Sequence, residues 1–283
     1  SMPVYFVIRT LEEIPAAAKR LLSGQASVAA EIGARIRSAD PLFAATIARG
    51  SSDHACGFLK YAIELETGLP VASLGPSVAS VYQRQMRMAR SVTFAVSQSG
   101  KSPDIVAMAE NARRGGSLVA AMTNNPASPL SAAADCAIDI AAGPELSVAA
   151  TKSFVNSALA GLMVLAEWTE NDALRAAIRR LPDAMEKAVR CDWSALLEGL
   201  DGKSSLYILG RGPSQPIAAE VALKFKETSG MHAEAYSAAE VLHGPVSIVG
   251  KGFPVLAITL PDAAEAHVLE VCKRVAGQGA NVF

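Results

Sequence analysis

What the chain lacks narrows its identity before any motif is read. Its 283 residues hold four cysteines, Cys56, Cys136, Cys191 and Cys272, widely scattered and without CxxC spacing. That pattern argues against a disulfide framework or a zinc site and fits four reduced, structural thiols in a cytoplasmic protein. No run of Lys or Arg occurs, and 26 basic against 27 acidic residues leave a net charge of −1. Neither nucleic acid nor an acidic membrane surface would find an electrostatic footprint here. The longest charge-free helical stretch, Ser153 to Ala166, falls short of the ~20 residues needed to cross a bilayer. The start has no cationic segment ahead of an apolar core, and Ser1 before Met2 reads as a cloning remnant. The expectation is a soluble, cytoplasmic protein with a small ligand.

Hydrophobic residues make up 51% of the chain, enough at this length for one large core or two smaller ones, and two domains are the better reading. The first 40 residues are helical in pattern, with Leu11, Ile14, Ala17, Ala18, Leu21 and Leu22 at helical spacing. From Pro41 onward, apolar runs alternate with helical stretches. Leu42–Ala48, Val71–Leu74, Val92–Val96, Leu118–Met122 and Ala137–Ile140 read as strands, with helices near 54–66, 77–88 and 104–114. Such alternation predicts a parallel sheet covered on both faces. A long apolar helix through Trp168 and a mixed-charge helix from Asn171 to about Arg190 follow.

Residues 91–104 carry the densest signal of the first half. The apolar strand Thr93 to Val96 runs into Ser97, Gln98, Ser99, Gly100, Lys101 and Ser102, and Pro103 fits the first turn of a helix. The hydroxyls and the amide supply donors, and the helix start supplies unpaired N–H groups and a partial positive charge, a combination suited to a phosphate dianion. It is neither a nucleoside-triphosphatase loop nor a dinucleotide turn. An ordinary polar loop before a capped helix is the competing reading.

A second α/β unit begins at Ser204. Ser205–Leu209 reads as a strand, 215–229 as a helix, Phe253–Thr259 as a strand and 262–277 as a helix. Ala48-Arg49-Gly50-Ser51-Ser52 parallels Leu209-Gly210-Arg211-Gly212-Pro213-Ser214, as in two copies of one unit. Where the first copy has Ser97-Gln98-Ser99-Gly100, the second has Thr259-Leu260-Pro261-Asp262, whose carboxylate would repel phosphate. Phosphate binding is therefore expected in the first half alone. The sequence ends at Phe283 as another strand begins, so the second sheet reads as unfinished.

Within the second half, Glu220, Lys224 and Glu227 stand four and three residues apart, which puts them on one helical face, where Lys224 can pair with either carboxylate. A solvated salt-bridge face is the ordinary fate of that pattern; the apolar neighbours Val221, Leu223 and Phe225 predict instead a largely buried helix whose charges need a reason. His243, followed by Gly-Pro, is placed at an element terminus facing a cleft, and His232 is taken as structural.

Three ordered motifs, the Ser-Gln-Ser-Gly-x-Ser loop, Glu145-Leu-Ser-Val-Ala-Ala-Thr-Lys152 before the long apolar helix, and Glu220 to Pro245, make the chain resemble the SIS (sugar isomerase) domain family over most of residues 30 to 283. The resemblance is strongest to the isomerase half of glucosamine-6-phosphate synthase and to stand-alone glucosamine-6-phosphate deaminases. It implies an α/β fold of two SIS domains, each a five-stranded parallel sheet flanked by helices, the second incomplete. The divisions are an N-terminal helical segment 1–30, a phosphate-binding domain 31–170, linking helices 171–200 and a catalytic domain 201–283. It also implies a homodimer whose active site is shared between subunits.

Carried over by the same resemblance, Ser97, Gln98, Ser99 and Ser102 are phosphate ligands, and Gly50, Ser51, Ser52, Val148 and Ala150 contact the sugar, Ala150 standing where a serine is frequent. Glu227 is the base that moves a proton between C1 and C2, Lys224 the lysine beside it, and His243 the ring-opening histidine donated by the partner subunit. No metal or organic cofactor is implied. The implied activity is aldose–ketose isomerisation of an amino-sugar 6-phosphate, with deamination of glucosamine 6-phosphate to fructose 6-phosphate and ammonia as the leading case, since the chain has no room for a glutaminase domain. Plain isomerisation, or sugar-phosphate binding without catalysis, are the alternatives. The family's C-terminal catalytic lysine has no counterpart, so either the natural chain extends past Phe283 or this copy is impaired.

Overall fold

Strands in this chain are short apolar runs whose alternate side chains are buried on opposite faces. The computed structural model describes residues 10–283, so Ser1–Met2 and the beginning of the expected segment 1–30 lie outside the described residues. The chain divides after Val189 into two units.

The first unit opens with two helices, α1 (Ile14–Gly24) and α2 (Ala26–Ala39), and continues as β1 (Phe43–Ile47), α3 (Gly50–Thr67), β2 (Val71–Ser73), a short α4 (Ser77–Ser80), β3 (Ser91–Val96), α5 (Pro103–Arg114), β4 (Ser117–Thr123), α6 (Pro129–Ala133) and β5 (Cys136–Asp139). Helices α7 (Lys152–Trp168) and α8 (Asp172–Ala188) complete it. All pairings are parallel, in the order β2-β1-β3-β4-β5, with Phe43 opposite Ser91 and Ala95 opposite Ala121. Ala44, Val92, Phe94, Val96, Ala120 and Met122 face α1, α2, α3 and α7. Ala45, Ile47, Ala95, Val119 and Ala121 face α5 and α6. Both faces are buried, which is why these strands read as continuous apolar runs.

At Gly33, α2 meets the end of α7 so closely that an added Cβ would lie 2.7 Å from the Trp168 nitrogen. The expected helix at 77–88 exists only as α4. Beyond it Gln83 adopts φ 51°, and the Asn111 side chain, 25 residues away, accepts from the Met86 N–H and donates to the Arg84 carbonyl. Those bonds satisfy backbone groups that a helix would otherwise pair.

The second unit runs α9 (Ser194–Leu200), β6 (Ser205–Gly210), α10 (Ser214–Ser229), β7 (His232–Ser237), two 3-10 turns at Val241–His243 and Pro245–Ile248, β8 (Pro254–Ala257), α11 (Glu265–Gly277) and β9 (Asn281–Val282). Its sheet is parallel with four strands, β7-β6-β8-β9; against the expectation of five-stranded sheets with the second incomplete, the described residues form sheets of five and four. Tyr207, Leu209 and Val255 pack against α11, while Leu206, Ile208 and Leu256 pack against α9 and α10. Strand β7 lies inside the stretch read above as one catalytic constellation. It pairs with β6 from His232 opposite Ser205 to Ser237 opposite Gly210. His232 is exposed at its start, which replaces the expectation of a structural histidine.

The thiols are not uniform either. Burial pushes the Cys56 thiol far up and Cys136 up to about 11, but Cys191 is exposed, so four structural cysteines becomes one buried, two half-buried and one exposed.

Phe94, 1% exposed, fills the α7 side of the first sheet. Phe94→Ala is expected to cost about 3–5 kcal/mol of stability, measured as a shift in urea midpoint.

Candidate active site

The first unit's strand order places its site. The chain steps from β1 outward to β2, then returns past β1 to β3. The loops leaving β1 and β3 at their carboxyl ends therefore diverge to opposite sides, and the crevice between them is where an open parallel sheet binds ligands. A cavity of about 240 Å³ lies there, bordered by Arg49, Ser51 and Ser52 after β1, Gln98 after β3, and Glu145, Ser147, Val148, Ala150, Ser153 and Phe154 ahead of and within α7. Drug-sized ligands occupy ~300–1,000 Å³, so this is the scale of a small metabolite.

Of the expected sugar and phosphate residues, Ser51, Ser52, Gln98, Val148 and Ala150 border this cavity. Gly50, with φ 58°, starts α3. Ser97, Ser99 and Ser102 lie on the same loop as Gln98. The Ser97 hydroxyl accepts from the Gly100 N–H at 3.2 Å and the Ser99 hydroxyl from the Lys101 N–H at 3.3 Å. Ser102 occupies the N-cap of α5, yet its hydroxyl makes no capping bond. The competing picture of an ordinary capped helix thus does not describe this loop: the first N–H groups of α5 have no side-chain acceptor.

Gly100 explains the loop's shape. It has φ 65°, and a Cβ there would meet the Ser128 hydroxyl at 2.2 Å and the Thr123 hydroxyl at 2.9 Å. Leu130 also donates its N–H to the Gly100 carbonyl at 3.0 Å. The loop is pressed onto the end of β4 and the start of α6, so its hydroxyls are held on a fixed backbone.

Glu145, part of a recognised motif but given no role from sequence, proves to cap α7. Its carboxylate accepts from the Thr151 N–H and hydroxyl at 3.3 and 3.2 Å and from the Ser153 N–H and hydroxyl at 2.8 and 2.7 Å. The segment between carries Val148, 95% exposed. Lys152 is 2% exposed, ion-paired with Glu13 at 2.5 Å and bonded to the Pro144 carbonyl at 2.8 Å. Arg49 was given no role from sequence, although the repeated Arg-Gly after β1 and β6 was a signal for it. It ion-pairs with Asp104 in the first turn of α5. Asp53, in the first turn of α3, has its carboxyl raised above the usual range by burial, offset in part by His54.

In the second unit, Lys224 stands between Glu220 at 3.2 Å and Glu227 at 2.5 Å. The shared face expected from spacing is therefore present. Helix α10 is not largely buried, however: Pro216, Ala218, Glu220 and Ala222 are buried, whereas Lys226 and Glu227 stand at its exposed end. Glu220, 4% exposed, holds Lys224 in place through the ion pair, while Glu227 remains reachable from solvent. His243 ends a 3-10 turn, not a longer helix, and is exposed. Among the described residues no hydrogen bond or ion pair joins it to Lys224 or Glu227. Among the described residues no group of three or more His, Cys, Asp or Glu is arranged to hold a metal, and no helix is long and apolar enough to cross a membrane.

The SIS domain family model matches residues 43–167 and 200–282, spanning both sheets. The chain belongs to the SIS domain family. It is 34% identical over 288 residues to the isomerizing glutamine–fructose-6-phosphate aminotransferase of Sulfurisphaera tokodaii, a match covering 99% of this chain and 47% of that protein. The chain thus spans about half the length of the curated relatives it matches. A crystal structure from Silicibacter pomeroyi DSS-3, of a protein provisionally assigned as a phosphosugar isomerase, is 56% identical with a TM-score of 0.96, covering 98% of this chain and 85% of that one. The C-terminal domain of glucosamine-fructose-6-phosphate aminotransferase from Francisella tularensis is 25% identical with a TM-score of 0.80, covering 98% and 82%.

Two outcomes test the geometry. Gly100→Ala should lose about 1–3 kcal/mol from the left-handed backbone alone, with more from the Ser128 clash, read by urea denaturation. Asp53→Asn should melt higher than wild type at pH 7.5. A carboxyl with a raised pKa destabilises the fold where it is charged, so the difference should vanish as the pH falls through the carboxylate range.

Proposed function

We propose that the chain is the isomerase part of a phosphosugar enzyme that acts on an amino-sugar 6-phosphate, with glucosamine 6-phosphate converted to fructose 6-phosphate and ammonia. The observation that carries this reading is the rigid loop 97–102, its Ser102 hydroxyl and the first N–H groups of α5 left without side-chain partners at the β1/β3 crevice. Such an arrangement suits a phosphate dianion. The assignment of the Silicibacter pomeroyi relative as a phosphosugar isomerase supports it.

In this reading Ser97, Gln98, Ser99 and Ser102 hold the phosphate, and Gly50, Ser51, Ser52, Val148 and Ala150 meet the sugar. Fixing the phosphate orients the reacting carbons without touching the bonds that change. His243, donated by the partner subunit of a homodimer, moves the proton that opens the ring. Glu227 takes the proton from C2 of the open-chain aldehyde and returns it to C1. The C1 oxygen carries negative charge on the way, and the Lys224 ammonium stabilises it. That oxygen ends as a hydroxyl by taking up a proton, and the C2 amine gives one up, which leaves an imine at C2. Water adds to that carbon, and ammonia leaves, giving the ketone. Domain boundaries at 31–170 and 201–283, with phosphate binding in the first and proton transfer in the second, fit this division of labour.

Ammonia release from glucosamine 6-phosphate tests it. Glu227→Gln should lower turnover by about 10²–10⁴-fold with the sugar phosphate still bound. Lys224→Met should lower kcat by about 10²-fold or more. Full turnover in the Glu227→Gln enzyme would reject the assignment of the base. Product analysis with a substrate bearing a C2 hydroxyl separates deamination from plain isomerisation.

A further inference from the structure

Arg49 is the cation of the first unit's cavity. Among the described residues that border it, Arg49 carries positive charge and Glu145 negative, and Glu145 is committed to capping α7 through four hydrogen bonds. Arg49 follows β1, yet its guanidinium reaches Asp104 in the first turn of α5. It therefore spans the crevice from the carboxyl end of β1 to the helix start behind Ser102. A guanidinium has five donors in a planar fork, and one Asp104 oxygen occupies one edge. Lys101, the other cation of this region, is exposed and does not border the cavity.

We infer that Arg49 is a specificity-determining residue that contacts the phosphate of the substrate through the edge of its guanidinium turned away from Asp104, with Asp104 as its positioning residue. The inference rests on the reading of loop 97–102 as the phosphate site. The hydroxyls, the amide and the backbone N–H groups of that loop are neutral donors; a guanidinium adds a full charge and a planar match to phosphate oxygens. The ion pair with Asp104 limits the rotamers of the half-exposed side chain, so less rotamer freedom is lost on binding. The consequence is discrimination of a phosphorylated sugar from its unphosphorylated counterpart, and of the dianion from the monoanion.

Titration calorimetry with glucosamine 6-phosphate, and with glucosamine as the probe that carries the same amine but no phosphate, tests this on wild type, Arg49→Ala, Arg49→Lys and Arg90→Ala. Arg90, exposed and paired with Asp40 ahead of β3, makes the same charge change at the opposite ends of the strands. Arg49→Ala should weaken glucosamine 6-phosphate binding about 10- to 100-fold, leave glucosamine unchanged, and shrink the gain in affinity between pH 5.5 and 7.5, where phosphate becomes dianionic. Arg49→Lys should restore part of the loss, and Arg90→Ala should match wild type. Because Arg49 is exposed over about half its side chain (55%), its variants should melt with wild type. Wild-type binding with an unchanged Arg49→Ala affinity would overturn the role of Arg49 and leave the phosphate site standing. Absence of binding by wild type would overturn both.

Discussion

Parallel strands leave all their carboxyl ends on one edge of a sheet, and a chain that reverses its direction of travel across that sheet must open a gap between two of those ends. In the first unit the gap lies between β1 and β3. The features of the cavity depend on it. The turn after β1 and the loop after β3 can face one another because no crossover helix passes between them. The hydroxyls of Ser51, Ser52 and the 97–102 loop, and the Arg49–Asp104 ion pair across the gap, are consequences of strand order.

Charge in that gap is distributed by how each helix start is treated. Helix α7 is closed by the Glu145 carboxylate, while α5 keeps its first amides without a side-chain acceptor. Helix starts carry about half a positive charge each, so capping one and leaving another open steers an anion toward α5. Asp104, in the first turn of α5, opposes that field, and the Arg49 guanidinium offsets it. In the second unit the same currency is used differently: Lys224 shares its charge between a buried carboxylate and one at the exposed end of α10.

Legibility in sequence followed the range of the interactions involved. Strands β1–β5 were readable to within a residue or two because each is a short apolar run between helical stretches, and β1, β3 and β4 are buried on both faces. The Glu220-Lys224-Glu227 face was readable because helical spacing is a local rule. What escaped depends on distant partners. The non-helical path after Ser80 is held by Asn111. The reach of Arg49 depends on Asp104, 55 residues on. Strand β7 alternates histidine, alanine and glutamate, an edge pattern too weakly apolar to stand out beside the charged helix before it. Neither the number of strands in the second sheet nor the exposure of Cys191 could be counted from composition.

The carboxylate of Glu145 ties residue 145 to residues 151 and 153, so the stretch 146–150 is a loop closed at its neck. A loop closed in this way can change its residues at little entropic cost, since neither the helix behind it nor the anchor at 97–102 has to move. Val148 and Ala150 both sit on that closed loop. On the function proposed above, substitutions at Val148 and Ala150 would alter the contact with the sugar and leave the phosphate anchor at 97–102 where it is.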